Sequence, residues 1–494
     1  MSKNNEKKPS QEEINNLIQY YNDGDNNAAE ESAIKITQKF PNHQLTWKIL
    51  ASVLKEKGEF SRSLEAGQTV IKIDPLDPEG FNNLGNTLRS LGRLDEAEEN
   101  FKMAIEINPN YSDFHNNLGF TFALSGKLDK AIKCYKKAIV LKDNYALPYS
   151  NLGNVFKVLG RLEESEKNYR KAIDLDSNNS TYHTSLGLIL RDFGKYEEAK
   201  DSYRKAIALS PKNSSANYHL GIVLFESRQY EEAAEHFELT DIAYSKSFAL
   251  KCSYYKDSQS VFYERLDKMI NEGRVNAVIG SLSCRSEIRY GIKRSNPFCT
   301  YPLRYVLSSD LGKQYDFENT FVNQAKIFLE DKTLLAKSQG LLTNGYQTSG
   351  NLFQLKGYGI NRIESIIRSE IEKYCSHYKG SHEGLIKKFP NNYSLHGWLV
   401  SMKSGGQLAS HMHDNGWLSG SIYINIPPEL NGDSGNLVVS IDDDHYRKKG
   451  ENQKKSINLV TGSLCLFPSS LLHYTVPFES KEDRIVLAFD VIPI

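Results

Sequence analysis

At 494 residues the chain is longer than one ordinary hydrophobic core supports, so two or three domains are expected. Lys plus Arg and Asp plus Glu number 61 each, which favours neither nucleic acid nor an anionic membrane as a partner. The start, "MSKNNEKKPSQEEINN", is polar, no stretch reaches the roughly 20 apolar residues of a membrane helix, and the six cysteines lack CxxC spacing; a cytoplasmic protein with reduced, structural thiols is expected.

From residue 10 the chain repeats every 34 residues, and segments starting at Pro78, Ser112, Ala146, Ser180 and Ser214 stack in one register. Gly85, Gly119, Gly153, Gly187 and Gly221 form one column, each preceded by a leucine. Gly58, Gly92, Gly126, Gly160 and Gly194 form another, where a helix must end and the chain reverse, a place for a residue that accepts positive φ. Alanines and aromatics follow at fixed offsets: Ala97 with Phe101, Ala131 with Tyr135, Ala199 with Tyr203, Ala233 with Phe237. Each unit reads as helix, tight turn, helix, with small residues where helices approach and an aromatic filling the space between them. This resembles the tetratricopeptide repeat, and about seven units fit between residues 10 and 247, the outer ones degenerate as caps. The resemblance implies an all-α solenoid with no catalytic centre, whose groove binds a peptide or protein.

Asn83, Asn117 and Asn151 recur at one position of successive first helices, where an amide can donate to and accept from a peptide backbone. The ladder resembles that of the repeats of O-linked N-acetylglucosamine transferase, which implies a peptide groove. Plain solvated positions are the competing reading, because the column continues as Ser185 and His219.

Between residues 248 and 295 the columns vanish, although "SQSVFYERLDKMINEGR" keeps helical spacing and predicts one further helix in a helical junction. "IKRSNPFCTYPLRYV" suits the entry into a new domain, with the boundary near Asn296. Ile360, Ile363, Ile366, Ile367 and Ile371 share one side of "GINRIESIIRSEIEKYC", which predicts an amphipathic helix backing the C-terminal part of the domain. After Asn391 the period changes: "YSLHGWLVSMKSG", "GWLSGSIYINIP", "SGNLVVSI", "GSLCLFPS", "HYTVPF" and "RIVLAFDVIPI" are short, β-rich and separated by turn signals. They predict a jelly roll inside an α+β domain over 296–494.

The chemistry concentrates in "ASHMHDNGWLSGSIYINIP". On a strand, His411 and His413 face one way, roughly 7 Å apart, while Asp414 faces the other unless a bulge intervenes. A further metal ligand must come from a distant strand, and His473 in "FPSSLLHYTVPF" offers one. Arg484 comes on the next strand, its planar fork suited to a carboxylate in the same cavity. Two histidines and a carboxylate on one face of an ion, with the opposite positions open, are what non-haem Fe(II) oxygenases use, and the spacing here fits that arrangement.

Together "HMHDNGWLSGSIYINIP", "GDSGNLVVS", "GSLCLFPSSLLHYTVP" and "DRIVLAFDV", with "GYQTSGNLF" upstream, resemble the 2-oxoglutarate- and Fe(II)-dependent oxygenases of bacteria and phages that often occur behind tetratricopeptide repeats. The resemblance implies a double-stranded β-helix, Fe(II) and 2-oxoglutarate as cofactors, and O2 as co-substrate. It makes His411 the first metal ligand, His473 the distal one, and Arg484 the partner of the far carboxylate of 2-oxoglutarate, with Tyr423 a second contact to it. The middle ligand stays open. The broader superfamily has His-x-Asp or His-x-Glu, whereas here His413 stands in the acid's place and Asp414 comes one step late. Parity favours His411, His413 and His473; Asp414 as second ligand is the alternative.

His396 and His445 read as ordinary satisfied histidines, and Trp417 as packing on a half-buried strand rather than a substrate contact. Asp442, Asp443 and Asp444 beside Arg447, Lys448 and Lys449 read as a solvated hairpin, since the glycine and closing glutamate of a calcium loop are missing. The expected function is hydroxylation of a C–H bond in a peptide or protein recruited by the repeats. Two readings compete with it: a non-catalytic adaptor with a degenerate barrel, and a three-histidine thiol dioxygenase, which leaves Arg484 without a role.

Overall fold

In the computed structural model, which describes residues 8–242, 244–331, 334, 336–337, 341–348, 350–355, 359–428, 430, 432–442 and 453–494, the chain divides into two compact units, Met1–Ala216 and Asn217–Ile494. The first unit is built of paired helices, from Gln11–Asn22 with Asn26–Lys39 to Ser180–Asp192 with Tyr196–Leu209. Within each pair the reversal falls on a glycine of the predicted column, and Gly24 joins Gly58, Gly92, Gly126, Gly160 and Gly194 with φ between 69° and 76°. The other glycine column and the aromatic column are one packing device. A Cβ on Gly119 would lie 2.8 Å from the Tyr135 ring, and Gly85, Gly153 and Gly187 face Phe101, Tyr169 and Tyr203 in the same way. Toward the N-terminus the volumes trade places, since the same two columns hold buried Leu17 with Ala33 and Ala51 with Gly67. Close packing is thereby kept while the residue types change.

The second unit opens with helices, among them Tyr230–Glu238, Ser245–Tyr255, Gln259–Asn271 and Ala277–Tyr290, before the chain turns to β structure. The predicted helix in "SQSVFYERLDKMINEGR" is the Gln259–Asn271 element. The strands are β1 (Leu307–Asp310), β2 (Ala336–Lys337), β3 (Leu342–Thr348), β4 (Tyr393–His411), β5 (Leu418–Asn425), β6 (Leu437–Ser440), β7 (Lys454–Ile457), β8 (Ser463–Pro468), β9 (Leu472–Thr475) and β10 (Arg484–Pro493). Among the described residues they form one antiparallel sheet of 10 strands in the order β1-β8-β5-β10-β4-β9-β6-β7, with β3 joining β4 and β2 joining β3. The non-sequential neighbours make it a jelly-roll-like fold. All six predicted strand segments are present, whereas β1, β2, β3 and β7 are additions.

Strand alternation sorts the residues of the barrel. On β5 and β10, Leu418, Ile422, Leu487, Phe489 and Val491 join a core with Ile360, Ile363, Ile366, Ile367 and Ile371 of the helix Ile360–His377. The isoleucine face thus backs the sheet as its spacing predicts. The intervening residues Ser419, Ser421, Tyr423, Arg484, Val486 and Ala488 line a cavity on the other face. No described helix is long and apolar enough to cross a membrane. All six cysteines are free. Burial pushes the thiols of Cys134 and Cys375 up to about 11 and those of Cys252, Cys284 and Cys465 to about 12.

Candidate metal centre

Strand register explains how histidines far apart in sequence meet. β4 pairs with β10 over residues 393–402 and then, beyond an irregularity, with β9, where His411 stands directly opposite His473. β4 ends at His411, so His413 lies two residues into the loop before β5 rather than on a regular strand. Its ring is nonetheless turned to the same point: Nε2 of His413 is 3.2 Å from Nε2 of His411. The ring centroids of His411 and His413 lie 4.3 and 4.8 Å from that of His473, and one nitrogen from each of the three rings falls within 4.8 Å of the others.

The outward nitrogens show which lone pairs are available. His411 Nδ1 is 2.9 Å from the carbonyl oxygen of Ala409, and His413 Nδ1 is 2.7 Å from Oδ1 of Asp490. A carbonyl and a carboxylate oxygen can only accept, so both Nδ1 atoms carry the proton and both Nε2 atoms are left with a lone pair in the neutral rings. Two such lone pairs at 3.2 Å repel unless a proton or a metal cation sits between them. The donor set therefore fits a borderline divalent metal, with imidazole ligands oriented by outer partners.

The electrostatics agree for two of the three rings. Burial, with the neighbouring His413, takes the pKa of His411 down to about 4, and burial beside both other rings holds His473 well below the usual imidazole value. These two rings stay neutral, the form that ligates. Burial also opposes charge on His413, yet the Asp490 carboxylate, by its charge and its hydrogen bond, outweighs it and raises that pKa.

The three rings open on a cavity of about 360 Å³, which Tyr423, Arg484, His396 and Trp398 also line. Arg484 is 2 % exposed and donates from Nε to the Gly435 carbonyl at 3.2 Å, with its guanidinium 5.1 Å from the centre of the Tyr423 ring. Burial draws its pKa down, and burial raises that of Tyr423. Among the described residues no carboxylate pairs with Arg484. A buried guanidinium without a counter-ion favours an anionic ligand, because an uncompensated charge there is costly.

Comparison with known proteins finds two kinds of family along the chain. Residues 396–490 match the family described as "Putative 2OG-Fe(II) oxygenase", and residues 78–111, 146–179, 121–160, 187–227 and 100–133 match tetratricopeptide-repeat families. The chain joins tetratricopeptide repeats to a domain of the 2OG-Fe(II) oxygenase family. A tetratricopeptide repeat protein from Parabacteroides merdae is similar at 16% identity over 49% of this chain and 98% of its own, with a TM-score of 0.41. The Pseudomonas aeruginosa pilF structure is similar at 21% identity over 39% of this chain and 90% of its own, with a TM-score of 0.36. No curated protein matches the chain.

Within the oxygenase-family domain, Asp490, His396 and Asp442 sit where the sequence did not place them. Asp490 is the main one. It anchors His413 and accepts a hydrogen bond of 2.8 Å from Ser419 Oγ. The available signal was parity, since Asp490 and Arg484 fall on the same face of β10. His396, read as an ordinary histidine, lines the cavity with Trp398, whose ring centroid is 5.4 Å from that of His413. Asp414 is not part of the three-ring group; its Oδ2 accepts from Lys251 Nζ at 2.7 Å. Trp417 packs on Phe298 and donates from its indole nitrogen to the Leu385 carbonyl at 2.8 Å, a packing role. Asp442 is buried 3.5 Å from Arg285 Nε rather than solvated, and residues 443–450 of the expected hairpin, His445 included, lie outside the described residues.

In the repeats, Asn83, Asn117 and Asn151 are half-buried, and Asn117 and Asn151 tie neighbouring units together. Asn117 Nδ2 donates to Asn82 Oδ1 and Asn151 Nδ2 to Asn116 Oδ1, each at 2.9 Å.

Proposed function

We propose that the C-terminal domain is a 2-oxoglutarate- and Fe(II)-dependent hydroxylase and that the repeats recruit its peptide or protein substrate. One observation carries this reading: three imidazoles with converging nitrogens open on the same cavity as a buried guanidinium that has no carboxylate partner among the described residues. In this reading His411, His413 and His473 hold Fe(II), Arg484 grips the far carboxylate of 2-oxoglutarate, and Tyr423 lies beside it. When bound, iron and 2-oxoglutarate supply the activation of O2 needed to hydroxylate a C–H bond.

The chain's own residues supply position and environment. Asp490 and the Ala409 carbonyl fix the tautomer and direction of His413 and His411, which keeps two lone pairs aimed at one point. Arg484, already desolvated in the folded chain, recognises a carboxylate at little reorganisation cost. Val400, Met402, Leu437 and Phe467 line the cavity with apolar surface, which limits water at the reacting centre. A third neutral imidazole in place of a carboxylate leaves the ion one charge more positive, which strengthens the hold on anions such as 2-oxoglutarate. Recruitment falls to residues 10–247, with Asn83, Asn117 and Asn151 in the groove, and chemistry to 296–494, with 248–295 between them.

The test is O2-dependent conversion of 2-oxoglutarate to succinate by the full chain under Fe(II), beside His473→Ala. Turnover in the wild type that the variant loses supports the hydroxylase. Iron binding without any turnover, coupled or uncoupled, favours the adaptor reading, to which His413 in the acid's place lends support.

A further inference from the structure

His413 is flanked by two residues that face away from the metal-binding cavity. Met412 packs against the cluster formed by Leu250, Tyr254, Phe262, Leu266, Val278 and Ile279, all of them on the helices that precede the barrel. Asp414 Oδ2 meets Lys251 Nζ at 2.7 Å, a contact between residues 163 positions apart. Lys251 belongs to the helix Ser245–Tyr255, and its ammonium also lies 5.5 and 5.4 Å from the ring centres of Phe225 and Phe248. With side-chain exposures of 15% and 20%, the pair is too buried to be an ordinary surface ion pair. A second tie runs from the helix Ala277–Tyr290, where Arg285 lies 3.5 Å from Asp442 just past β6. β6 is the strand whose Val439 pairs with His473.

These ties fall where the sheet itself gives least support. His411 and His473 are held by cross-strand pairing, but His413 lies beyond the end of β4, and the chain regains a backbone bond to a strand only at Trp417, whose N–H donates to the Val491 carbonyl of β10 at 2.8 Å. A ligand must nevertheless be held to within about 0.5 Å of its productive position. A buried charge pair adds little net stability, yet it selects one arrangement of the chain, because the alternatives leave a charge buried without its partner.

We propose that the helices over residues 245–290 are a functional part of the metal centre, with Lys251 acting through Asp414, and the Met412 contact beside it, to fix the loop that presents His413. Lys251 and Asp414 are then positioning residues, and Asp414 is a tether rather than a ligand. The proposal rests on the metal-binding reading above and assigns this pair a role that neither the repeats nor the barrel contains alone.

The experiment uses the full chain, anaerobically, with Co(II) as the probe. Affinity is read by competition with a chromophoric chelator and geometry by the visible Co(II) spectrum. Lys251→Met, which keeps the stem against Phe225 and Phe248, and Asp414→Asn are each expected to weaken Co(II) binding roughly tenfold, the lower end of what outer partners of a metal site contribute. Both should alter the spectrum, and the double variant should be no worse than either single one. The charge-reversed pair Lys251→Glu with Asp414→Lys should recover most of the affinity, a rescue that mere loss of packing does not predict. A cooperative thermal melt for each variant shows that it is folded, and Met412→Ala, which leaves both charges in place, should give the same spectral change. Wild-type binding that Lys251→Met and Asp414→Asn leave unchanged overturns the tether alone. Binding abolished by Asp414→Asn but untouched by Lys251→Met makes Asp414 a ligand and overturns it too. A wild-type chain that takes up no Co(II) overturns the metal reading, and the proposal with it.

Discussion

The residue that fills the space beside Gly119 is Tyr135, 16 positions later, whereas the residue opposite His411 is His473, 62 positions later. The first contact recurs in unit after unit of the repeats, and the second occurs once. In the repeats each contact is local and has several equivalents, so stability is close to a sum over neighbours. In the barrel the important contacts are long in sequence and single, set by strand register. The same size of insult should therefore stay local in one region and remove the whole function of the other.

The sharpest way to break that contrast is His473→Ala. Loss of one of three imidazoles is expected to weaken Fe(II) or Co(II) binding by more than the roughly 10- to 100-fold of an outer partner, and to abolish succinate formation. Equilibrium dialysis showing affinity within a few-fold of wild type would mean that His411 and His413 suffice and the register pairing is incidental.

Next come two buried aromatics matched in size. Tyr135 is 1 % exposed and Phe489 0 %, and truncating either to alanine is expected to cost about 3–5 kcal/mol. The distribution of that cost distinguishes the regions. By hydrogen exchange, Tyr135→Ala should loosen its own helix pair and the adjoining ones, while Phe489→Ala, in the core shared by the sheet and the Ile360–His377 helix, should loosen the barrel throughout. Uniform loosening in both would erase the distinction.

A smaller effect is expected from Asp490→Asn, which keeps the volume but weakens the hold on His413 Nδ1. Metal affinity should fall about 10- to 100-fold with no loss of fold. In a His413→Asp background the same change should cost nothing beyond the background, because the ring it orients is gone. Isothermal titration of the four proteins with Co(II) reads this directly.

Legibility in the sequence divides along the same line. The glycine and aromatic columns could be read because each position is sampled many times over, and a small residue facing a large one is a local rule. The Ile360 to Ile371 face and the six β segments could be read because periodicity reports burial without naming a partner. Partners themselves were hidden. Asp490 has the parity of Arg484, but nothing local says that His413 lies beside it, and nothing in "DDDHYRKK" reveals that Arg285 buries Asp442. β1 and β7, as "LSSD" and "KKSI", carry no apolar alternation, and each is an end member of the strand order, where polar residues are tolerated.

The smallest expected effect tests whether the asparagines serve a ligand or the fold. Asn117 and Asn151 each spend an N–H on a neighbour, Asn82 or Asn116, which leaves the amide oxygen and a second N–H for a peptide. Replacing Asn83, Asn117 and Asn151 by alanine should cost about 0.5–1.5 kcal/mol for each bridging bond lost, and should also reduce capture of an extended peptide. Replacing Asn82 and Asn116 instead removes the same two bonds while leaving the column in place. Equal destabilisation by both sets in urea, with peptide capture lost only in the first, assigns the column to recognition. Capture that survives both sets reduces it to a staple between repeats, because a groove residue cannot be removed without a trace in binding.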